Sequence, residues 1–308
     1  MNSQSNAIPH SPEGSQAFAD IPWIHSLVWC VQRELWENRS IYIAPLVAGG
    51  LALLGFLISM VYLPGRMRGA LAGDAGHEWE LILQPYTYAA LLIMGTTLIV
   101  AIFYCLDALY GERRDRSILF WKSLPVSDLT VVLAKASIPL LVLPLITFAV
   151  TVVTQGIMLL LSTLVLLGNG LPAPPLWSHV SFLRMSMMLF YHLVGIHGLW
   201  YAPFYGWLLL VSAWARRGPF LWAALPPLAI GLVDKIAFNT SRFAELLQDH
   251  FGGGPQGLDF SPERVSMEAT PHFHAASLLA TPGLWIGLAV TATFLVAAAR
   301  LRRYRGPI

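Results

Sequence analysis

The histidine side chains of this chain could bind a metal ion or transfer a proton. His192 and His197 lie in one apolar stretch at a spacing of i, i+5, whereas two metal ligands on one helix usually stand at i, i+3 or i, i+4. This spacing does not place both rings on one face of a regular helix, so we expect no metal site there. His250, His272 and His274 lie in a polar connection, where a weak metal patch is the alternative to ordinary loop residues.

Motifs for nucleotide binding or hydrolysis are missing from the sequence. The phosphate loop G-x-x-x-x-G-K-[ST] does not occur, and neither does H-E-x-x-H, a nucleophile elbow or a Ser-His-Asp spacing. We therefore expect no enzyme activity and no cofactor on this chain. If the protein depends on ATP, a separate subunit would bind and hydrolyse it.

The highest density of charge lies in Gly111–Ser127, between two long apolar stretches. Only 12% of the chain is charged, yet this segment carries three arginines, two acidic residues and a lysine around a short apolar turn. Pro125 disfavours helical geometry at Leu124, and Ser127 or Asp128 can cap the next helix. The pattern predicts a short amphipathic helix, a break and a capped transmembrane helix, although a basic loop that merely obeys membrane topology is the simpler alternative.

The order of residues in this segment resembles the cytoplasmic loop of ABC-2-type transporter permeases. The resemblance rests on Glu112-Arg113-x-Asp115-Arg116-Ser117-x-Leu119-x-x-x-Ser123-Leu124-Pro125-Val126-Ser127, with Lys135 downstream. In that family the loop is a coupling helix between the second and third spans, and it docks on a separate ATPase subunit. The resemblance implies two partners, a cytoplasmic ABC ATPase that holds ATP and Mg, and a second permease copy.

The resemblance also implies which side chains take part in coupling. Phe120 and Trp121 would be apolar anchors, and Arg113, Arg114 and Arg116 would supply complementary charge. The turn Phe120-Trp121-Lys122 is bulkier and more basic than the family's commoner loop. The full set assigned to ATPase coupling is Glu112, Arg113, Arg114, Asp115, Arg116, Ser117, Leu119, Phe120, Trp121, Lys122, Leu124 and Pro125.

Polar side chains inside the apolar stretches are further candidates. The third stretch carries four of them on one helical stripe, Thr147, Thr151, Gln155 and Ser162. Such residues either hydrogen-bond neighbouring helices or line a substrate path, and we favour helix contacts. Asp107, near the inner end of the second span, is a functional candidate by default. We favour its pairing with Arg113, Arg114 or Lys135.

The elements that must position these residues are membrane helices. The chain is 56% hydrophobic, and its mean hydropathy is +0.61. A soluble domain is usually about 45–50% apolar, with about 25% of its residues charged. The composition predicts an all-α integral membrane protein whose surroundings are a lipid bilayer, and it gives no reason to expect a nucleic-acid partner.

Six spans are expected within one transmembrane domain over residues 41–305. They cover residues 41–63, 86–109, 129–167, 187–214, 220–238 and 282–299. Pro64-Gly65 should end the first span. Pro139 and Pro144 should kink the third, which we interpret as one long bent helix, with a re-entrant pair as the alternative. A short helix is expected over Ser241–His250.

The N-terminal region divides into two parts. Residues 1–20 are polar and lack the features of a signal peptide, which predicts a flexible cytoplasmic tail. Residues 21–40 carry Trp23, Leu27 and Leu35 at helical spacing, which predicts an interfacial amphipathic helix, or else an early turn of the first span. Cys30 and Cys105 are far apart in sequence, and we expect both to be buried free thiols.

Orientation follows from the basic residues. With the N-terminus inside, most of the 19 lysines and arginines fall in cytoplasmic segments, and both termini are then cytoplasmic. We expect the permease subunit of an ABC exporter in the bacterial cytoplasmic membrane, moving an amphipathic or hydrophobic substrate such as a peptide, lipid or antibiotic. A signalling or mechanotransmission subunit and a stand-alone membrane enzyme are the alternatives.

Overall fold

The computed structural model describes residues 23–72, 75–124, 126–251 and 279–308, and these residues are almost entirely helical. The predicted tail over residues 1–20 lies outside these ranges, as do Pro125, His272 and His274. The first seven helices, α1–α7, are Trp23–Glu37, Ser40–Ser59, Leu63–Ala72, Ala75–Ala108, Tyr110–Arg114, Ile118–Lys122 and Asp128–Ser137. The next seven, α8–α14, are Leu143–Gly168, Pro174–His179, Phe182–Tyr191, Ala202–Trp214, Pro219–Phe238, Arg242–Phe251 and Pro282–Tyr304.

Five helical runs in the described ranges are long and apolar enough to cross a membrane. They are Ser40–Ala72, His77–Arg114, Asp128–Gly168, Pro219–Phe238 and Pro282–Tyr304. A sixth candidate consists of two runs, Pro174–Trp200 and Ala202–Trp214, which are bent by 46° relative to each other. The protein is therefore an all-helical, multi-pass membrane protein with five or six spans.

The first two spans are longer than predicted. Pro64-Gly65 does not end the first helical run, because Pro64 lies in the first turn of α3, where a missing N–H costs no helical bond. The second run begins at Ala75 rather than at residue 86. Arg66 Nη1 donates to the Leu81 carbonyl at 2.8 Å, which joins the two helical runs on either side of the connection.

The third span is one continuous run of 41 residues, as predicted. Ser127 caps its start, because its side chain accepts a hydrogen bond from the Thr130 amide at 3.0 Å. In place of a simple kink, Ile138–Val142 is π-helical. Pro144 lies two residues after this segment and cannot donate a bond to the carbonyl four residues earlier, so the wider turn accommodates the proline ring.

The sharp bend lies in the fourth span instead. His192–Trp200 is a second π-helical segment, which ends at Tyr201 before α11 begins. Hydrogen bonds in a π-helix join residues five apart, so His192 and His197 lie on successive turns. The expectation from sequence applied to a regular helix, whereas this segment is π-helical. In the described ranges, no group of three or more His, Cys, Asp or Glu side chains could hold a metal ion.

The largest hydrophobic core lies where α4, α7, α11 and α14 pack together. Its fully buried members include Cys105, Val132, Leu209 and Ala298. The burial of Cys105 agrees with the prediction, whereas Cys30 is only partly buried. The predicted short helix over Ser241–His250 is present as α13, Arg242–Phe251.

Candidate functional site

Charged side chains gather at one end of the bundle, which we call the basic end. It comprises α1, the segment 109–124, α7 and the last turns of α14. Six side chains from these four parts form an ion cluster, namely Arg33, Glu34, Glu112, Asp128, Lys135 and Arg302. We call it the buried ion cluster, because four of its members are buried and only Arg33 and Asp128 are partly exposed. Three carboxylates face three cations, so the cluster is neutral as a whole.

Lys135 lies at the centre of the buried ion cluster. Its Nζ is 2.7 Å from Glu34 Oε1 and 3.2 Å from Glu112 Oε1, and the three side chains are 3%, 2% and 7% exposed. Tyr104 donates its hydroxyl proton to Glu34 Oε2 at 2.9 Å. Both oxygens of the Glu34 carboxylate are thus paired, as a buried charge requires.

Arg302 brings the last helix into the same cluster. Its Nη2 lies 3.2 Å from Glu112 Oε2, and its Nη1 contacts Asp128 Oδ1. Arg33 Nη2 approaches Glu112 Oε1 at 3.0 Å from the opposite side. Glu112 therefore joins α1, α7 and α14 at a single carboxylate.

Arg33 also reaches the segment between the second and third spans. Burial acts to lower the Arg33 pKa, but the carboxylates of Glu34, Glu37 and Glu112 outweigh it and leave the pKa raised. The guanidinium carbon lies 3.6 Å from the centroid of the Trp121 ring, in cation–π geometry. The N-terminal helix is thereby in direct contact with α6.

Arg113 and Ser212 hydrogen-bond the segment 109–124 to the fourth span, and each of the two residues contributes bonds from its side chain. Arg113 is 3% exposed, and its Nη2 donates to the carbonyls of Ser212, at 2.9 Å, and of Ala215. Carbonyls at the C-terminus of a helix lack helical donors, and a cation there also interacts favourably with the helix dipole. In return, Ser212 Oγ accepts hydrogen bonds from the amides of Leu109 and Tyr110, at 3.0 and 2.9 Å, where α4 ends.

The short helix α6 presents an exposed tip, which we define as Leu119 and Phe120. These side chains are 59% and 60% exposed, whereas Ile118 beneath them is 1% exposed. Lys122 closes the helix, and its Nζ donates to the carbonyls of Arg303 and Arg305, both at 3.2 Å. The exposed tip thus lies on a helix whose other side chains, Ile118 and Lys122, contact the rest of the protein.

The coupling residues that the sequence predicted fall into separate groups. Glu112 and Arg113 are buried inside the basic end, so Arg113 cannot offer surface charge as expected. Ser117 and Trp121 are half-buried. The exposed members are Arg114, Asp115, Arg116, Leu119, Phe120, Lys122 and Leu124. Pro125 lies outside the described residues.

Asp107 pairs with an arginine of the same segment, as we favoured from the sequence. Arg114 Nη1 lies 3.5 Å from Asp107 Oδ1, and Arg114 Nε lies 2.9 Å from Asp115 Oδ1. The hydrogen bond from Arg114 lowers the pKa of Asp115. All three side chains are more than half exposed, so we expect these pairs to contribute little to stability.

The polar stripe of the third span lies against the second span. Its four members are buried, namely Thr147, Thr151, Gln155 and Ser162. Thr147 Oγ1 donates to Thr97 Oγ1 at 2.9 Å, and Gln155 Nε2 donates to the Tyr86 carbonyl at 3.2 Å. The Ser162 and Tyr86 hydroxyls are 3.0 Å apart. Thr151 Oγ1 and Gln155 Oε1 have no hydrogen-bond partner in the part of the chain that is described.

Sequence reasoning missed Glu34, Arg302 and Ser212 as parts of the site. Glu34 lies among charged neighbours on an amphipathic helix, which favours an exposed position. Lys135 carried the stronger signal, because it is an ionisable residue within the apolar run Leu129–Ser137 and so demands a buried partner.

Fold and site together define a multi-pass helical membrane protein with a neutral ion cluster and an exposed apolar tip at one end. Comparisons with protein-family models, with curated proteins and with solved structures find no match for this chain.

Proposed function

We propose that this chain is the transmembrane subunit of an ATP-driven transporter, and that a separate cytoplasmic ATPase docks on the exposed tip. The observation that carries the proposal is the contrast within one short segment. Leu119 and Phe120 are exposed beyond the end of the second span, while Glu112 and Arg113 are buried at its base. The resemblance of residues 111–127 to the coupling loop of ABC-2-type permeases agrees with this arrangement.

The base of the tip supplies the connection that a coupling element needs. Trp121 lies against Arg33, and Lys122 is hydrogen-bonded to the C-terminal segment. Glu112 joins three helices through the buried ion cluster, and Arg113 holds the end of α11. A displacement of α5 and α6 by a partner would therefore act on α1, α7, α11 and α14 together.

The tip has the composition of a compact protein interface. Apolar anchors at the centre of such an interface provide most of its energy, and charges at the rim contribute to specificity and association rate. Arg116 and Lys122 are exposed on either side of Leu119 and Phe120. The partner that fits this surface has an apolar cleft with an acidic rim.

The substrate path is proposed to run between two copies of the chain. The polar stripe of the third span is occupied by contacts with the second span, so a path would not follow it. Such a dimer would export an amphipathic or hydrophobic molecule from the bacterial cytoplasmic membrane. The contact between the polar stripe and the second span also favours the second candidate, a subunit that transmits ATPase motion as a signal without moving a substrate.

The docking proposal can be tested with a double substitution at the exposed tip, Leu119→Ala with Phe120→Ala. These side chains make no ion pair with the buried ion cluster, and the ring contact that is lost is the edge-on packing of Phe120 against Trp121 at 4.9 Å. Trp121→Ala would also remove the contact with Arg33. A matched control is Leu228→Ala with Val233→Ala on α12, where the side chains are 68% and 58% exposed.

The measurement is affinity purification of the solubilised protein from its host, followed by mass spectrometry. A stoichiometric ATPase with a phosphate loop should accompany the wild type and the control pair. Loss of two anchors at about 2 kcal/mol or more each should reduce its recovery at least 10-fold in the tip variant. Equal recovery from both variants, or a wild type without an ATPase, would contradict the proposal.

The two candidate outputs differ in what stimulates the ATPase. In liposomes that contain the purified complex, an exporter hydrolyses ATP faster when its substrate is added, and the substrate accumulates on one side. A signalling subunit changes its ATPase rate with no net movement of the added compound.

A further inference from the structure

The two π-helical segments cross each other inside the membrane domain. At the crossing, a Cβ built on Gly198 would lie 2.7 Å from the backbone carbonyl oxygen of Leu140, so only glycine fits without a shift. That carbonyl is the one to which Pro144 cannot donate a helical bond. Segments of π-helix occur frequently at functional sites, which directs attention to what lies beside this contact.

A cavity of about 10 Å³ lies next to the crossing. Its lining includes Pro139 and Pro144 from the third span, Thr97 from the second, and His197 and Tyr205 from the two runs of the fourth. A cavity needs about 10–15 Å³ of this kind of volume to hold a water molecule, so there is room for one water and nothing larger.

His197 is the polar group that this cavity leaves unsatisfied. The residue is 6% exposed, and its Nε2 atom has no hydrogen-bond partner among the described residues. A buried nitrogen without a partner is unfavourable, and such a group usually indicates an ordered water. The neighbouring Tyr201 ring packs edge-on against His197 at 5.3 Å, which leaves little freedom for the imidazole to turn elsewhere.

We propose that this cavity is a binding site for one water molecule held by His197 Nε2. Water satisfies this nitrogen in either tautomer, because it donates to a bare Nε2 and accepts from a protonated one. Thr97 and Tyr205 line the same cavity, and their hydroxyl oxygens would bring the number of polar partners to the two to four that a buried water requires.

The water site explains how two irregular segments can be packed together without an unpaired nitrogen between them. It lies beside the 46° bend of the fourth span, where a change of angle would alter the shape of the cavity. A water molecule adapts its hydrogen bonds to such a change more easily than a fixed side-chain pair does. The proposal concerns the interior of a single chain, so it does not depend on an ATPase partner.

The test is water-edited solid-state NMR of the full protein in lipid bilayers, with ¹⁵N-labelled histidine. The His197 ring signals are assigned by their loss in His197→Gln, and the exposed His179 provides the hydrated reference. With a bound water, magnetisation transferred from water should reach the His197 ring at mixing times similar to those for His179. If the His197 signal appears only after slow transfer through the protein, the cavity is dry and the proposal is wrong.

A thermal measurement gives an independent answer. If Nε2 is an unsatisfied nitrogen in a dry cavity, His197→Leu removes an unfavourable group, and the midpoint of thermal unfolding should rise. With a bound water, the substitution displaces it and leaves the Thr97 and Tyr205 hydroxyls without their bridge, so the midpoint should fall. His192→Leu on the neighbouring turn is the control for the loss of an imidazole. A rise confined to His197→Leu would overturn the water site.

Discussion

Replacing Lys135 by methionine tests the buried ion cluster most directly. The substitution keeps most of the side-chain volume and removes a positive charge whose Nζ lies 2.7 Å from Glu34 Oε1 and 3.2 Å from Glu112 Oε1. The cluster then holds three carboxylates against two guanidinium groups. Because Lys135 and Glu34 are only 3% and 2% exposed, water cannot screen the excess negative charge.

The size of the effect follows from the burial. Removing one partner of a buried ion pair usually costs about 3–5 kcal/mol, because the remaining charge is left uncompensated. Adding Glu34→Gln to Lys135→Met restores neutrality, and the amide oxygen can still accept the Tyr104 hydroxyl proton. We therefore expect the double variant to be more stable than Lys135→Met alone, with a coupling free energy of about 1–3 kcal/mol.

The assay is equilibrium unfolding in mixed micelles, in which a denaturing detergent is titrated and tryptophan fluorescence is followed. Lys122→Met is the matched control, because Lys122 is exposed and its hydrogen bonds among the described residues go to the carbonyls of Arg303 and Arg305. It should change the free energy of unfolding by about 0.5 kcal/mol or less. The reasoning fails if Lys135→Met costs no more than this control, or if the double variant costs the sum of the two single ones.

Two further predictions concern close packing and thiol chemistry. Gly198→Ala should destabilise the protein by about 1–3 kcal/mol, because the new methyl group would meet the Leu140 carbonyl, while Gly156→Ala meets only ordinary contacts and should be neutral or stabilising. The same unfolding assay decides this, and equal effects would contradict the close approach. Burial raises the Cys30 pKa, so its labelling by a maleimide should keep accelerating as the pH rises beyond the usual thiol pKa. A plateau at lower pH would refute this, and labelling of native Cys30→Ser should be absent because Cys105 is fully buried.

Hydropathy was sufficient to predict the helical class and most of the spans. An apolar run of the right length has few alternatives in a chain with so little charge, and Ser127 marked the start of α7 as its capping chemistry requires. The ends of the first two spans were predicted less well. Glu78 and Glu80 favour an exposed connection by composition, yet they continue the second helix, because a helix can extend beyond the bilayer into water.

The interior of the basic end could not be predicted, since it depends on contacts between distant parts of the chain. Glu34 pairs with Lys135, which lies 101 residues away in the sequence. No spacing pattern within one helix predicts such a pairing. The π-helical segments are similar in this respect. Pro144 predicts an irregular turn in the third span, but the π-helical geometry also depends on how closely Gly198 approaches from the fourth span.

The order in which a ribosome delivers these residues has a consequence for biogenesis. Glu112 and Lys135 are available to each other as soon as the hairpin between the second and third spans is made. Arg302 follows Glu112 by 190 residues, so until the last helix is inserted the remaining five members of the cluster carry one excess negative charge. The buried ion cluster is therefore completed only after α14, which carries Arg302, has been made. Before α14 is in place, the exposed tip lies on a base that lacks the contacts of Glu112 and Asp128 with Arg302.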